Sequence, residues 1–81
     1  MTATRSVAIV TGASQGIGRA TAVRLARDFS AVVLAARNKN ELEQTAADVN
    51  AAGAESLICD LDLREPKSAE VLVRSTLERF S

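Results

Sequence analysis

The sequence predicts an α/β fold, half of a doubly wound parallel sheet with strand order 3-2-1. Three observations point there. Short, continuous apolar runs (Val7 to Val10, Ala31 to Ala36, Ser56 to Cys59) have the length and uniformity of strands buried on both faces. Segments with helical periodicity follow each of them. A glycine-rich turn, Thr11 to Gly18, joins the first run to the first of these segments. Alternating strands and helices with short connections and right-handed crossovers build a parallel sheet with helices on its faces.

In the first helix, Ile17, Thr21, Leu25 and Phe29 recur every fourth residue, with Ala20, Ala22 and Ala26 between them. Arg19, Arg24, Arg27 and Asp28 are placed toward solvent. The spacing predicts a helix from Gly16 to Asp28. After the second run comes a polar connection, Arg37 to Asn40. Asn40 is the expected N-cap of the second helix, with Glu41 and Glu43 near its positive end. Leu42, Ala46 and Val49 mark its apolar face, and Gly53 is a natural residue just past its C-terminus. Asp60 to Pro66 reads as a polar loop after the third strand. From Lys67, the residues Ala69, Val73, Leu77 and Phe80 mark a third helix.

Composition narrows the functional classes. The 81 residues allow one small unit, 1–81, read here as a partial domain cut within its third helix. Ten basic and ten acidic residues cancel and are scattered, so nothing draws the chain to nucleic acid or an anionic membrane. The apolar runs are too short for a membrane span, and a soluble cytoplasmic protein is expected. Cys59 is the single cysteine and there is no histidine, which argues against a disulfide framework and a zinc site. Cys59 ends a buried run with no base to activate it, and reads as core.

The turn carries the chemistry. Gly12 permits a tight exit from the strand, Gly16 lets the backbone come close to a phosphate, and Gly18 lets the helix pack near the strand. Backbone N–H groups of the turn and the positive end of the helix dipole suit a diphosphate. The competing reading is a glycine-rich loop without a ligand, which the surrounding strand-helix units argue against.

The string Thr11-Gly12-Ala13-Ser14-Gln15-Gly16-Ile17-Gly18 resembles the T-G-x-x-x-G-x-G signature of short-chain dehydrogenases/reductases. The likeness extends through LAARN after the second strand and CDL after the third. The resemblance implies the first half of a Rossmann fold, with a nicotinamide dinucleotide held by Gly12, Ser14, Gln15, Gly16, Ile17 and Gly18. At the end of the second strand, Ala36 stands where an NAD-selecting acid would be, and Arg37 follows. A guanidinium there grips the 2′-phosphate of NADP, so NADP(H) is favoured over NAD(H). Ser14 and Asn38 would add neutral donors, whereas Gln15 is neutral where some NADP-preferring relatives carry a second base. The bland alternative for Arg37 is a solvated loop residue. By resemblance Asp60 accepts from the adenine amino group and Leu61 borders the ring; the alternative for Asp60 is a turn former, and Asp62 competes for its role. Arg64 and Glu65 read as hydrophilic loop.

The resemblance further implies hydride transfer between nicotinamide and a carbonyl or alcohol, including 3-oxoacyl thioesters. A tyrosine in a Tyr-x-x-x-Lys pair would serve as acid/base. This chain has no tyrosine, so no catalytic residue is assigned and the rest of the polypeptide is the expected structural partner. A homo-oligomer is the family expectation. The alternatives are a non-catalytic NADP(H)-binding module and a truncated product without function.

Overall fold

The structure is a computed structural model that describes residues 6–80. Its elements run β1 (Val7–Thr11), α1 (Gly16–Leu25), β2 (Ala31–Ala36), α2 (Lys39–Ala51), β3 (Glu55–Asp60) and α3 (Ser68–Phe80). The strands form one parallel sheet in the order β1-β2-β3, with Val7 opposite Ala31 and Ala31 opposite Glu55. This is the first half of a doubly wound Rossmann sheet, in the 3-2-1 order the sequence predicts.

The β2 run is continuous because both of its faces are covered, and its first five residues are fully buried. Alternate residues serve opposite faces. Val32 and Leu34 pack with Val10 under α1 and α2, where Ala22, Ala26, Leu42 and Val49 close the layer. Ala31, Val33 and Ala35 face the other way, against Cys59, Leu72 and Phe80. Cys59 is buried there, as expected of a core residue, and burial followed by the Asp60 charge raises its thiol pKa.

Four details depart from the periodicity. First, α1 ends at Leu25 rather than Asp28. Its chain then tightens, with Arg27 and Asp28 donating to carbonyls three residues back. Second, its buried face is made of small residues: Ala22 and Ala26 are inside, whereas Ile17 is 86% exposed. Of the large residues at the fourfold spacing Leu25 packs partly against this layer and Ile17 does not, because α1 lies close to the sheet and places alanines at the contact. Third, Asn38 caps α2 in place of Asn40, accepting from the Glu41 N–H at 3.0 Å. Asn38 is the last residue with extended backbone, and only such a residue can aim its side chain back at the first turn. Fourth, α3 turns Leu72, Thr76 and Phe80 inward and leaves Val73 and Leu77 exposed. The third strand is also longer than predicted at both ends, and takes in Asp60.

Gly53 has φ +110° just past the α2 cap and lets the chain reverse into β3, as the sequence suggests. Among the described residues β1 pairs only with β2, and Val10 is its one buried residue.

Candidate cofactor-binding site

The three strands end on the same side, and the loops that follow them meet around a cleft of about 510 Å³. That is within the range of small-molecule sites. The glycine turn contributes Gly12, Ser14 and Gln15; the end of β2 contributes Ala36, Arg37 and Asn38. Leu61 to Arg64 form the third wall.

The turn owes its path to the glycines. Gly12 and Gly16 have φ of +64° and +61°, a region that costs other residues about 1 to 2 kcal/mol. Gly18 is needed for space: a Cβ there would strike the Gly12 carbonyl. Sheet hydrogen bonding runs on into the turn, where the Ala13 N–H donates to the Ala35 carbonyl at 3.3 Å. The first turn of α1 then opens without a side-chain cap at Gln15 and without an acid. Its leading N–H groups, which no residue of the helix itself accepts, are left to an outside acceptor at the positive end of the dipole. These residues fit a diphosphate.

Arg37 lies at the mouth of the cleft with its side chain 65% exposed. A carboxylate stands nearby: the Arg37 Nη1 is 3.9 Å from Asp62 Oδ2. Asp62 is held more closely by Arg64, whose Nε and Nη2 reach both carboxylate oxygens at 2.9 to 3.3 Å. Hydrogen bonds from Arg64 hold the Asp62 carboxyl down to a pKa of about 2, with the Arg37 charge adding a smaller effect. The sequence reading of Asp62 and Arg64 as plain hydrophilic loop misses this pairing. The local Asp62-Leu63-Arg64 spacing, an acid two residues before a cation, was the available signal.

The structure therefore gathers Gly12, Ser14, Gln15, Arg37, Asn38 and Leu61 on one cleft. Gly16, Ile17 and Gly18 form the adjoining helix start. Asp60 is exposed at the end of β3 and is not among the residues that line the cleft, whereas Asp62 is. Asn38 splits its roles, its Oδ1 engaged in the α2 cap while the residue borders the cleft.

Arg19 also differs from the sequence reading. It is not directed to solvent but reaches Ser14, Glu41 and Thr45, and Thr45 is fully buried. A lone polar residue among Leu42, Ala46 and Val49 on the inner face of α2 was the clue to this network. Among the described residues there is no metal-ligand cluster and no helix long and apolar enough to cross a membrane.

The family model described as short chain dehydrogenase matches residues 6–81. The chain belongs to that family. As a short-chain dehydrogenase it is 37% identical over 79 residues to the 3-oxoacyl-[acyl-carrier-protein] reductase of Synechocystis sp., covering 96% of this chain and 32% of that protein. An alcohol dehydrogenase from the archaeon Thermococcus sibiricus complexed with 5-hydroxy-NADP is 41% identical, with a TM-score of 0.85 over 95% of this chain and 33% of its own. An NAD+-bound xylitol dehydrogenase is 35% identical with a TM-score of 0.86, over 93% and 29%. The short-chain dehydrogenase segment thus spans about a third, or less, of the length of the curated relatives it matches.

Proposed function

We propose that this chain is the cofactor-binding segment of an NADP(H)-dependent oxidoreductase that interconverts a carbonyl and an alcohol. One observation carries the reading: the uncapped start of α1 and the Arg37 guanidinium open on the same cleft, with Ala36 where an NAD-selecting acid would sit. Family membership supports a nicotinamide dinucleotide, and the similar structures with NADP or NAD bound support the same class.

In this reading the amides of Ser14 to Gly18 hold the diphosphate and the helix dipole favours its charge. Arg37, with Arg64 across Asp62, faces the 2′-phosphate; a planar guanidinium suits that dianion better than a hydroxyl. Leu61, which lines the cleft, covers the adenine ring. The bound dinucleotide supplies hydride chemistry. Family membership supports a tyrosine as the acid/base that moves the substrate proton; these 81 residues hold none, and they span about a third of the relatives' length. A 3-oxoacyl thioester is the substrate class that the name of the Synechocystis relative supports. The complete enzyme is proposed to be a cytoplasmic homo-oligomer.

The test is the exchange Arg37→Asp in the complete enzyme, with dissociation constants for NADPH and NADH measured by fluorescence titration. Because Arg37 is well exposed, the expected loss is at the lower end for a charged pair, about 1.5 to 2 kcal/mol, or some ten- to thirtyfold. That loss should fall on NADPH, with NADH little changed or improved. Equal weakening of both cofactors would remove the 2′-phosphate contact.

A further inference from the structure

We infer that Arg19 and Thr45 are positioning residues that aim the phosphate-binding amides; the inference rests on the dinucleotide reading above. The Arg19 side chain bridges three segments. Its Nε donates to Thr45 Oγ1 at 2.9 Å, and its Nη2 donates to the Ser14 carbonyl at 2.7 Å and the Glu41 carbonyl at 3.4 Å. Thr45 is fully buried, and its hydroxyl lies 2.9 Å from the Ala13 carbonyl and 3.3 Å from the Glu41 carbonyl. A hydroxyl has one proton to give. The closer Ala13 oxygen takes it, while the same oxygen atom of Thr45 accepts from Arg19.

Two consecutive carbonyls of the turn, Ala13 and Ser14, are thereby held by side chains from α1 and α2. A trans peptide unit is planar, with its C=O and N–H pointing in opposite directions. Holding the Ala13 oxygen toward Thr45 turns the Ser14 N–H away from α2. Holding the Ser14 oxygen toward Arg19 turns the Gln15 N–H away from that guanidinium. Ser14 and Gln15 are two of the residues that line the cleft. The Arg19 guanidinium is therefore engaged by two backbone carbonyls and the Thr45 hydroxyl and not by the ligand. Its bond to the Glu41 carbonyl also reaches the first turn of α2, which Asn38 caps directly after Arg37. One guanidinium thus links the diphosphate turn to the segment that reads the adenosine end.

The diphosphate is common to both cofactors, so the clamp predicts a loss without discrimination, unlike Arg37. In the complete enzyme, Thr45→Val keeps the shape of the side chain and removes its hydroxyl, and Thr45→Ser restores it. The readouts are dissociation constants for NADPH and NADH, kcat at saturating cofactor, and Tm. Thr45→Val is expected to weaken both cofactors about tenfold and equally, with kcat largely kept and Thr45→Ser near wild type. Arg19→Lys, which cannot span the three acceptors, is expected to behave like Thr45→Val. Folded variants with lowered Tm and unchanged dissociation constants would overturn the clamp, because the network would then be purely structural. Loss confined to NADPH would overturn it as well. If the wild-type enzyme bound neither dinucleotide, the cofactor reading itself would fail, an outcome distinct from either of these.

Discussion

Gly18 shows how one hydrogen atom in place of a methyl group controls the site. Alanine is the better helix former by about 1 kcal/mol, so propensity alone favours Gly18→Ala at the third position of α1. The Cβ would strike the Gly12 carbonyl, a backbone atom that has no rotamer to escape into. Overpacking costs about 1 to 3 kcal/mol where side chains can yield, and the upper end applies here. The expected outcome is a net loss of about 2 kcal/mol in urea unfolding of the complete enzyme, with a weakened dinucleotide affinity because α1 is pushed off the turn. An unchanged midpoint would show that the helix does not sit this close to the strand. The three glycine positions were readable from spacing because each substitution violates a local rule of sterics or φ. The Arg19 network was not readable in the same way. A long cation on a helix surface reads as solvated unless its acceptors, here carbonyls of Ser14 and Glu41, are already located in space.

At the scale of elements, the second helix depends on a residue that borders the cleft as well. Asn38 accepts from the Glu41 N–H, so Asn38→Ala should cost about 1 kcal/mol of stability, seen as a lowered thermal midpoint. Asn38→Asp keeps the cap and places a negative charge at the positive end of α2, so stability should be retained or slightly raised. The same charge would stand next to Arg37 on the cleft, and NADPH affinity should fall. A parallel decline of stability and affinity in Asn38→Asp would contradict this separation of roles. The order and type of all six elements were legible because strand runs and helical periods differ in kind. Helix faces were legible only for α2, where Leu42, Ala46 and Val49 have one layer to pack on. In α1 the close approach of the sheet selects Ala22 and Ala26 over Ile17. In α3 two apolar stripes compete, and contact with β3 selects Leu72 and Phe80.

For the whole molecule, backbone and apolar surfaces remain uncovered at both edges of the sheet. Among the described residues nothing pairs with the outer edge of β1, Ile9 is 43% exposed on the face away from α1 and α2, and α3 presents Val73 and Leu77 outward at 51% and 57%. An open strand edge is a template for pairing, and apolar residues beside it add a driving force for contact between copies. The buried layers are also thin, because Ala supplies much of the α1 contact with the sheet. A unit of this size hides a small fraction of its chain surface, so its margin of stability is narrow. The 81-residue chain by itself is therefore expected to self-associate, with a melting profile that shifts with concentration and a sedimentation boundary above the 8.5 kDa monomer. Supplying a strand that pairs with the β1 edge should reverse this, since closing that edge satisfies the Val7 to Val10 backbone and shields Ile9 in the same step. A monomer with a cooperative melt independent of concentration would mean that the two core layers suffice without any such cover.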